Sequence, residues 1–388
     1  MDIKPFKVSI PSSELVQLHE KLLLTRLPKA VSGTNWTPDS KHVTVGFLEA
    51  VLKTWLTTYS WKDTENKLNS LPQFITTIPL DGFGDLTIQF VHSPSNASLK
   101  GQRSIPLLFL HGWPGSILEV SKALPLFNEK GFDVVAPALP GWLSSTLPTG
   151  NGFKVRHHAE IAHKLMLKLG YDEYVLQGGD WGGQIAPTLA IHPEPTFAPE
   201  ETQDREAKGY TPFEENSLSR FREFKKHGTA YVEIQQAKPL TLGVGLHDSP
   251  MGLLAWIADK ILDWSDSFPR NPKGYKWTNE ELITWTLLHY FGDLGPIGPF
   301  HMYVANRLES EDGEWEWKGM KYVQVLTGVS ALRWENEMVP RAWAEREAKV
   351  VWWREHERGG HFAVYEMPEE MVQDVVDFTC SIGIRRGV

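Results

Sequence analysis

The chain has 388 residues, a formal net charge of −9 and 41% hydrophobic residues, enough for a large buried core. An acidic balance with no Lys/Arg cluster and no zinc-finger spacing excludes a nucleic-acid partner, and a single cysteine, Cys380, excludes an internal disulfide. The start lacks a basic-plus-apolar leader and no run of about 18 apolar residues occurs, so a cytoplasmic protein without a membrane anchor is expected.

Residues 1–98 read as an N-terminal region that wraps a core. "PSSELVQLHEKLLLTRLP" carries a Ser cap and Leu15, Leu18 and Leu22 at helical spacing, with Pro28 as the stop. A second amphipathic stretch starts at "VTVGFLEAVLK" and breaks near Tyr59–Ser60, and "DLTIQFVHS" is a strand candidate. From residue 99 the rhythm becomes strand, loop, helix, with "IPLLFLHG", "FDVVAPAL" and "YVLQGG" as strands and "VRHHAEIAHKLMLKLG" as a helix. Residues 199–318 interrupt it with a mostly helical, Trp-rich insertion, a candidate lid. The strands "KYVQVLTG" and "KVVWWREHE" resume it in 319–388, and "MVQDVVDFTCSIG" places Cys380 in an apolar-periodic helix as a core residue. Such alternation implies an α/β fold whose mostly parallel central sheet has helices on both faces. Sixteen tryptophans suit either a well-filled core or an apolar cavity.

"VLQGGDWGGQIAP" ends a strand in Gly178-Gly179-Asp180-Trp181-Gly182, the Gly-x-nucleophile-x-Gly form of a strained strand-to-helix turn, with a carboxylate in the nucleophile's place. The plainer reading is a helix N-cap with helpful glycines. "FLHGWPGS" is a strand ending in the segment that offers an oxyanion-binding N–H, here that of Trp113, and Trp181 would offer the second. "ERGGHFAVYEMPEEM" presents His361 on a glycine-rich loop after the last strand, whereas His356 reads as a strand or loop residue. A carboxylate nucleophile suits displacement at saturated carbon, forming an alkyl ester that a histidine-activated water then hydrolyses.

The chain resembles the microsomal-type epoxide hydrolases, a branch of the α/β-hydrolase fold, from "PFKVSIPSSEL" almost to its end. "LLLTRLP", "YSWKDTENKLNSLPQFITTI" and "IQFVHSPS" are similar to that family's N-terminal domain, and "HGWPGSILEV", "LPGWLSS", "GGDWGG" and "GGHFAVYEMPE" to its core motifs in order. The resemblance implies Asp180 as nucleophile, His361 as base, and a carboxylic acid partner five residues before Pro340, at Glu335, with Glu337 as the alternative. It also implies two lid tyrosines, Tyr231 and Tyr303, which hydrogen-bond the epoxide oxygen; a phenol donates at neutral pH without ionising. The expected substrate is a lipophilic or aryl epoxide with water as co-substrate, no cofactor or metal is called for, and a homodimer is left open.

Two features depart from the family pattern. "IHPEPTFAPEETQDREAKGY" has no strand-like run where a core strand belongs, which leaves a gap beside "KYVQVLTG". Pro187 lies beyond the first turn of its helix and is expected to kink it. A dehalogenase, in which Trp181 would help hold halide, and a non-catalytic binder of an apolar ligand are the competing readings.

Overall fold

The computed structural model describes residues 2–29, 43–101, 103–190, 209–267, 271–309 and 322–384. In the N-terminal part come β1 (Lys4–Pro5), α1 (Ser12–Leu23), α2 (Val45–Thr57), α3 (Trp61–Leu68), β2 (Gln73–Leu80), β3 (Gly84–Ser93) and α4 (Asn96–Leu99). Pro11 holds the N-cap position of α1 and no side chain caps it, so the expected Ser cap is absent: Ser12 is already inside the helix. That helix also stops at Leu23, well short of Pro28. The break at Tyr59–Ser60 is as expected, and Ser60 caps α3 by accepting from the Asp63 N–H at 3.2 Å. β2 is an addition to the expected strands; its β-branched run Ile75–Ile78 suits a strand, and it pairs antiparallel with β3, from Gln73 opposite Val91 to Leu80 opposite Gly84.

The core continues with β4 (Ile105–Leu110), α5 (Leu124–Glu129), β5 (Phe132–Pro137), α6 (Val155–Lys168), β6 (Val175–Gly178) and α7 (Asp180–Ala190). Strand order is β1-β2-β3-β5-β4-β6, parallel over β5-β4-β6 and antiparallel where β3 joins β5. The central sheet is therefore mixed, its N-terminal strands adding an antiparallel side to the parallel core. Helix α7 spans Asp180–Ala190 with Pro187 inside it.

Most of the described residues from Pro212 to Glu309 are helical: α8 (Pro212–His227), α9 (Ala230–Ala237), α10 (Pro239–Asp248), α11 (Pro250–Trp264), α12 (Asn279–Tyr290) and α13 (Phe300–Glu309). Helix α11 buries residues on most of its circumference, from Met251 to Trp264, because α1 and α2 cover it from outside. Asn279 donates to Thr54 Oγ1 at 2.9 Å and Lys21 pairs with Asp248, tying the N-terminal helices to this layer.

β7 (Val323–Leu332), α14 (Arg341–Glu347), β8 (Ala348–His356), α15 (Ala363–Glu366) and α16 (Pro368–Ser381) complete the chain. β7 and β8 form a separate parallel pair, and among the described residues no strand joins β7 to β6. The segment in which a strand is missing by sequence, 191–208, lies outside the described residues. Cys380, expected in the core, is only partly buried on α16.

Register decides where the site forms. Leu110 pairs with Gly178, so the loops leaving β4 and β6 start side by side. Leu332 pairs with His356, so the loops leaving β7 and β8 do the same. Helix α7 packs on both β4 and β7, which brings the four carboxyl ends to one edge of the fold.

Candidate active site

Asp180 opens α7 with φ of +51°, a left-handed conformation that an aspartate adopts only under constraint. The constraint is close packing of the turn. A Cβ on Gly178 would lie 2.5 Å from the Gly182 carbonyl oxygen, and one on Gly182 would lie 2.7 Å from the Leu110 carbonyl carbon. The turn therefore presses against β4 and aims the carboxylate outward, beside a helix N-terminus that favours its charge.

Opposite it lies the loop after β4. The Leu139 N–H donates to His111 Nε2 at 3.1 Å, so the proton of this buried imidazole is on Nδ1, which donates to the Gly112 carbonyl at 3.0 Å. Burial holds His111 down at about 4, so it remains neutral. The Trp142 indole N–H donates to the Gly115 carbonyl, and His289 of α12 bonds the Pro114 carbonyl at 2.7 Å. On this fixed loop the Trp113 N–H donates to Asp180 Oδ1 at 2.8 Å. The second expected donor is not engaged: among the described residues, no hydrogen bond runs from the Trp181 N–H to the Asp180 carboxylate.

His361 Nε2 lies 3.2 Å from Asp180 Oδ2, and its Nδ1–H donates to Glu335 Oε2 at 3.0 Å. Glu335 also accepts the N–H groups of Asn336 and Glu337, at 2.7 and 3.2 Å, which orient it toward the imidazole. Glu337 points elsewhere, to Lys225 of α8 at 2.8 Å. Burial alone would lower the proton affinity of His361, but the Glu335 charge and the bonds to Asp180 and Glu335 hold it well above its usual value. The same contact keeps Glu335 below the ordinary range in spite of its burial.

Helices α9 and α13 deliver the two tyrosines to this edge. Tyr231 stacks on Trp113, with ring centroids 5.3 Å apart and planes 14° from parallel. Tyr303 stands edge-on to Trp181 at 4.9 Å and to Tyr231 at 5.9 Å. The Tyr303 hydroxyl is buried beside the Tyr231 hydroxyl and the Trp181 indole, both of which act on its acidity through hydrogen bonding. Burial, reinforced by the Asp180 charge, raises both phenols well above 10. All five expected side chains, Asp180, His361, Glu335, Tyr231 and Tyr303, thus meet at one place with Trp113 and Trp181.

Other residues of the site were not foreseen. Trp264, at the end of α11, accepts the His361 N–H on its carbonyl at 2.9 Å and sets its ring 5.0 Å from the imidazole. Asp266 accepts from the Gly359 N–H at 3.0 Å, and Glu366 holds the N–H groups of Asp266 and Phe362, which pins the histidine loop to the helical layer. Arg220 of α8 donates to the Trp334 carbonyl and Asn336 Oδ1, fixing the loop of the acid. Apart from Phe362, which is 4 positions from Glu366, their partners lie 93 to 116 positions away, and no local pattern announces such contacts. Among the described residues, no cluster of His, Cys, Asp and Glu could hold a metal ion.

Residues 3–120 match the family "Epoxide hydrolase N terminus", and residues 105–200 match the alpha/beta hydrolase fold. A Stigmatella aurantiaca protein assigned to the epoxide hydrolases is 32% identical over 94% of this chain and 82% of its own length. The chain belongs to the epoxide hydrolases. Epoxide hydrolase 1 of Sus scrofa is 29% identical to this hydrolase over 97% of the chain and 88% of its own length. The solved Aspergillus niger epoxide hydrolase superposes with a TM-score of 0.81 at 27% identity, covering 98% of this chain and 96% of that one. The α/β-hydrolase fold and the enzyme class read from the sequence both hold, and the non-catalytic and dehalogenase readings fall away. Among the described residues of this epoxide hydrolase, no helix is long and apolar enough to cross a membrane.

Proposed function

We propose that this hydrolase opens its epoxide through a covalent ester on Asp180. The supporting observation is the division of labour between the two oxygens of that carboxylate: Oδ1 rests on the Trp113 N–H, and Oδ2 faces His361. Oδ2 attacks an epoxide carbon, the carbon–oxygen bond breaks, and the electron pair moves to the epoxide oxygen, which Tyr231 and Tyr303 hydrogen-bond and protonate. Forming the ester abolishes the Asp180 charge. That charge raises both phenols and His361, so its loss makes all three better acids when the alkoxide needs a proton.

The proton that His361 releases restores the tyrosines, and the neutral imidazole then deprotonates a water that attacks the Asp180 Cγ. Negative charge develops on Oδ1, where the Trp113 N–H already points. As the tetrahedral intermediate collapses, the Cγ–Oδ2 bond breaks and the imidazolium gives its proton to Oδ2, which leaves on the diol; the water's other proton passes from the new carboxyl to His361, and the water oxygen stays in the carboxylate. Glu335 stabilises the imidazolium throughout. The cage of Trp113, Trp181, Tyr231, Trp264 and Tyr303 favours a lipophilic or aryl epoxide.

A single turnover with excess enzyme in labelled-oxygen water tests the ester. The expected result is a first diol without label and label in the Asp180 carboxylate. Solvent label entering that first diol directly would sink the covalent route.

A further inference from the structure

Gln235 of α9 carries a polar group that the mechanism above leaves unused. Its side chain is fully buried, at 0% exposure. The Trp256 indole N–H of α11 donates to Gln235 Oε1 at 2.9 Å, and because an indole can only donate, the atom that faces it is the amide oxygen. That one bond fixes which way the amide lies, with its NH2 group turned away from Trp256. Among the described residues, no acceptor meets Gln235 Nε2. An amide NH2 shut away from water without an acceptor is costly, and buried polar groups in folded proteins are nearly always satisfied, which points to a ligand.

Position indicates which ligand. Gln235 follows Tyr231 by one turn of the same helix, so the two side chains leave one face, with Cβ atoms about 5–6 Å apart. The Tyr231 and Trp264 rings are 5.1 Å apart, and Trp256 precedes Trp264 on α11. Between them on that helix, Lys260 Nζ lies 5.5 Å from the Tyr231 ring and 5.0 Å from the Trp256 ring. The aromatic cage therefore continues for one turn of α9, from Tyr231 and Trp264 to Gln235 and Trp256. The Lys260 charge is already paired with Asp259, at 2.5 Å. With the oxirane oxygen at the phenols, the amide meets whatever the substrate carries a short chain away, and its N–H groups select an oxygen acceptor there.

We propose that Gln235 is a specificity-determining residue: its NH2 group donates to a carbonyl or ether oxygen of the substrate, about one helical turn from the oxirane. The substrate class is then a lipophilic epoxide with a second, acceptor oxygen rather than a plain hydrocarbon epoxide. The inference rests on the placement of the oxirane at Tyr231 and Tyr303. Two aliphatic terminal epoxides of equal shape test it, one ending in a methyl ketone three methylene groups from the ring, the other in an isopropyl group. Their kcat/KM ratio, measured in competition on one preparation, does not depend on the active fraction. The parent should favour the ketone about tenfold, the scale of one hydrogen bond. Gln235→Met, which keeps the volume and loses the donor, should erase that preference. A parent ratio below about threefold overturns the proposal without any variant having to fold, as does a Gln235→Met enzyme that keeps more than half of the parent ratio. Tyr231→Phe separates this inference from the reading beneath it. If that variant opens the isopropyl-ended epoxide as fast as the parent, the placement of the oxirane itself fails, whereas slowed opening beside an absent ketone preference removes only the role of Gln235.

Discussion

Replacing Gly112 by alanine should disable the nucleophile without touching a catalytic side chain. The new Cβ would lie 2.5 Å from Asp180 Cγ and nearer still to Oδ1, whereas ordinary van der Waals contact begins at 3.4 Å. The shortfall is about 0.9 Å at Cγ, and little on either side can yield. The loop is held through His111, Trp142 and His289, and Asp180 sits in a turn wedged against the Leu110 carbonyl. The carboxylate must therefore swing off the Trp113 N–H. A displacement of about 1 Å costs on the order of 10²-fold in rate, and loss of one oxyanion donor costs about 10²–10³-fold. The two are the same event seen in two half-reactions, so ester formation should fall about 10²-fold and hydrolysis by at least as much. Single-turnover fluorescence measures both, and the thermal midpoint shows whether the fold survives. A Gly112→Ala enzyme that forms its ester within threefold of the parent rate would refute this account of how the loop seats the nucleophile.

Removing one phenol, as Tyr303→Phe or Tyr231→Phe, should slow ring opening by about 10²-fold, the lower range for a positioned acid, and leave hydrolysis of a preformed ester nearly unchanged; equal slowing of both steps in rapid-quench experiments would contradict the assignment. His361 should remain protonated in imidazole NMR titrations well above its ordinary value of about 6.5, and Glu335→Gln should move its titration down. Because the folded value is raised, the stability from this pair is complete below about pH 6.5 while Glu335 is ionised, and it is lost as pH rises through the folded value. The denaturant midpoints of parent and Glu335→Gln should therefore converge on the alkaline side, and a gap that widens there would reverse the sign of the argument.

Residues that act through local geometry were legible in the sequence. A strand, a tight turn and a helix start within a dozen residues of Asp180, and the observed φ of +51° is the strain such a turn requires. The choice between Glu335 and Glu337 was not legible at that range. Two backbone N–H groups, at 2.7 and 3.2 Å, orient Glu335, and Lys225, more than a hundred positions earlier, draws Glu337 away from the imidazole. The Ser cap assigned to α1 failed for the opposite reason: cap-forming residues abound at positions where the backbone has already turned helical.

The fold class and the strand, turn and helix start around Asp180 were legible in the chain itself, because periodicity and turn chemistry act over a few residues; Glu335, Tyr231 and Tyr303 were singled out only through the resemblance to the epoxide hydrolases. Tertiary structure decided which N–H reaches Asp180, which glutamate meets His361, and that Trp264 packs against the imidazole. Those outcomes depend on strand register, where Leu110 meets Gly178 and Leu332 meets His356, and pairings across such distances leave no local signature.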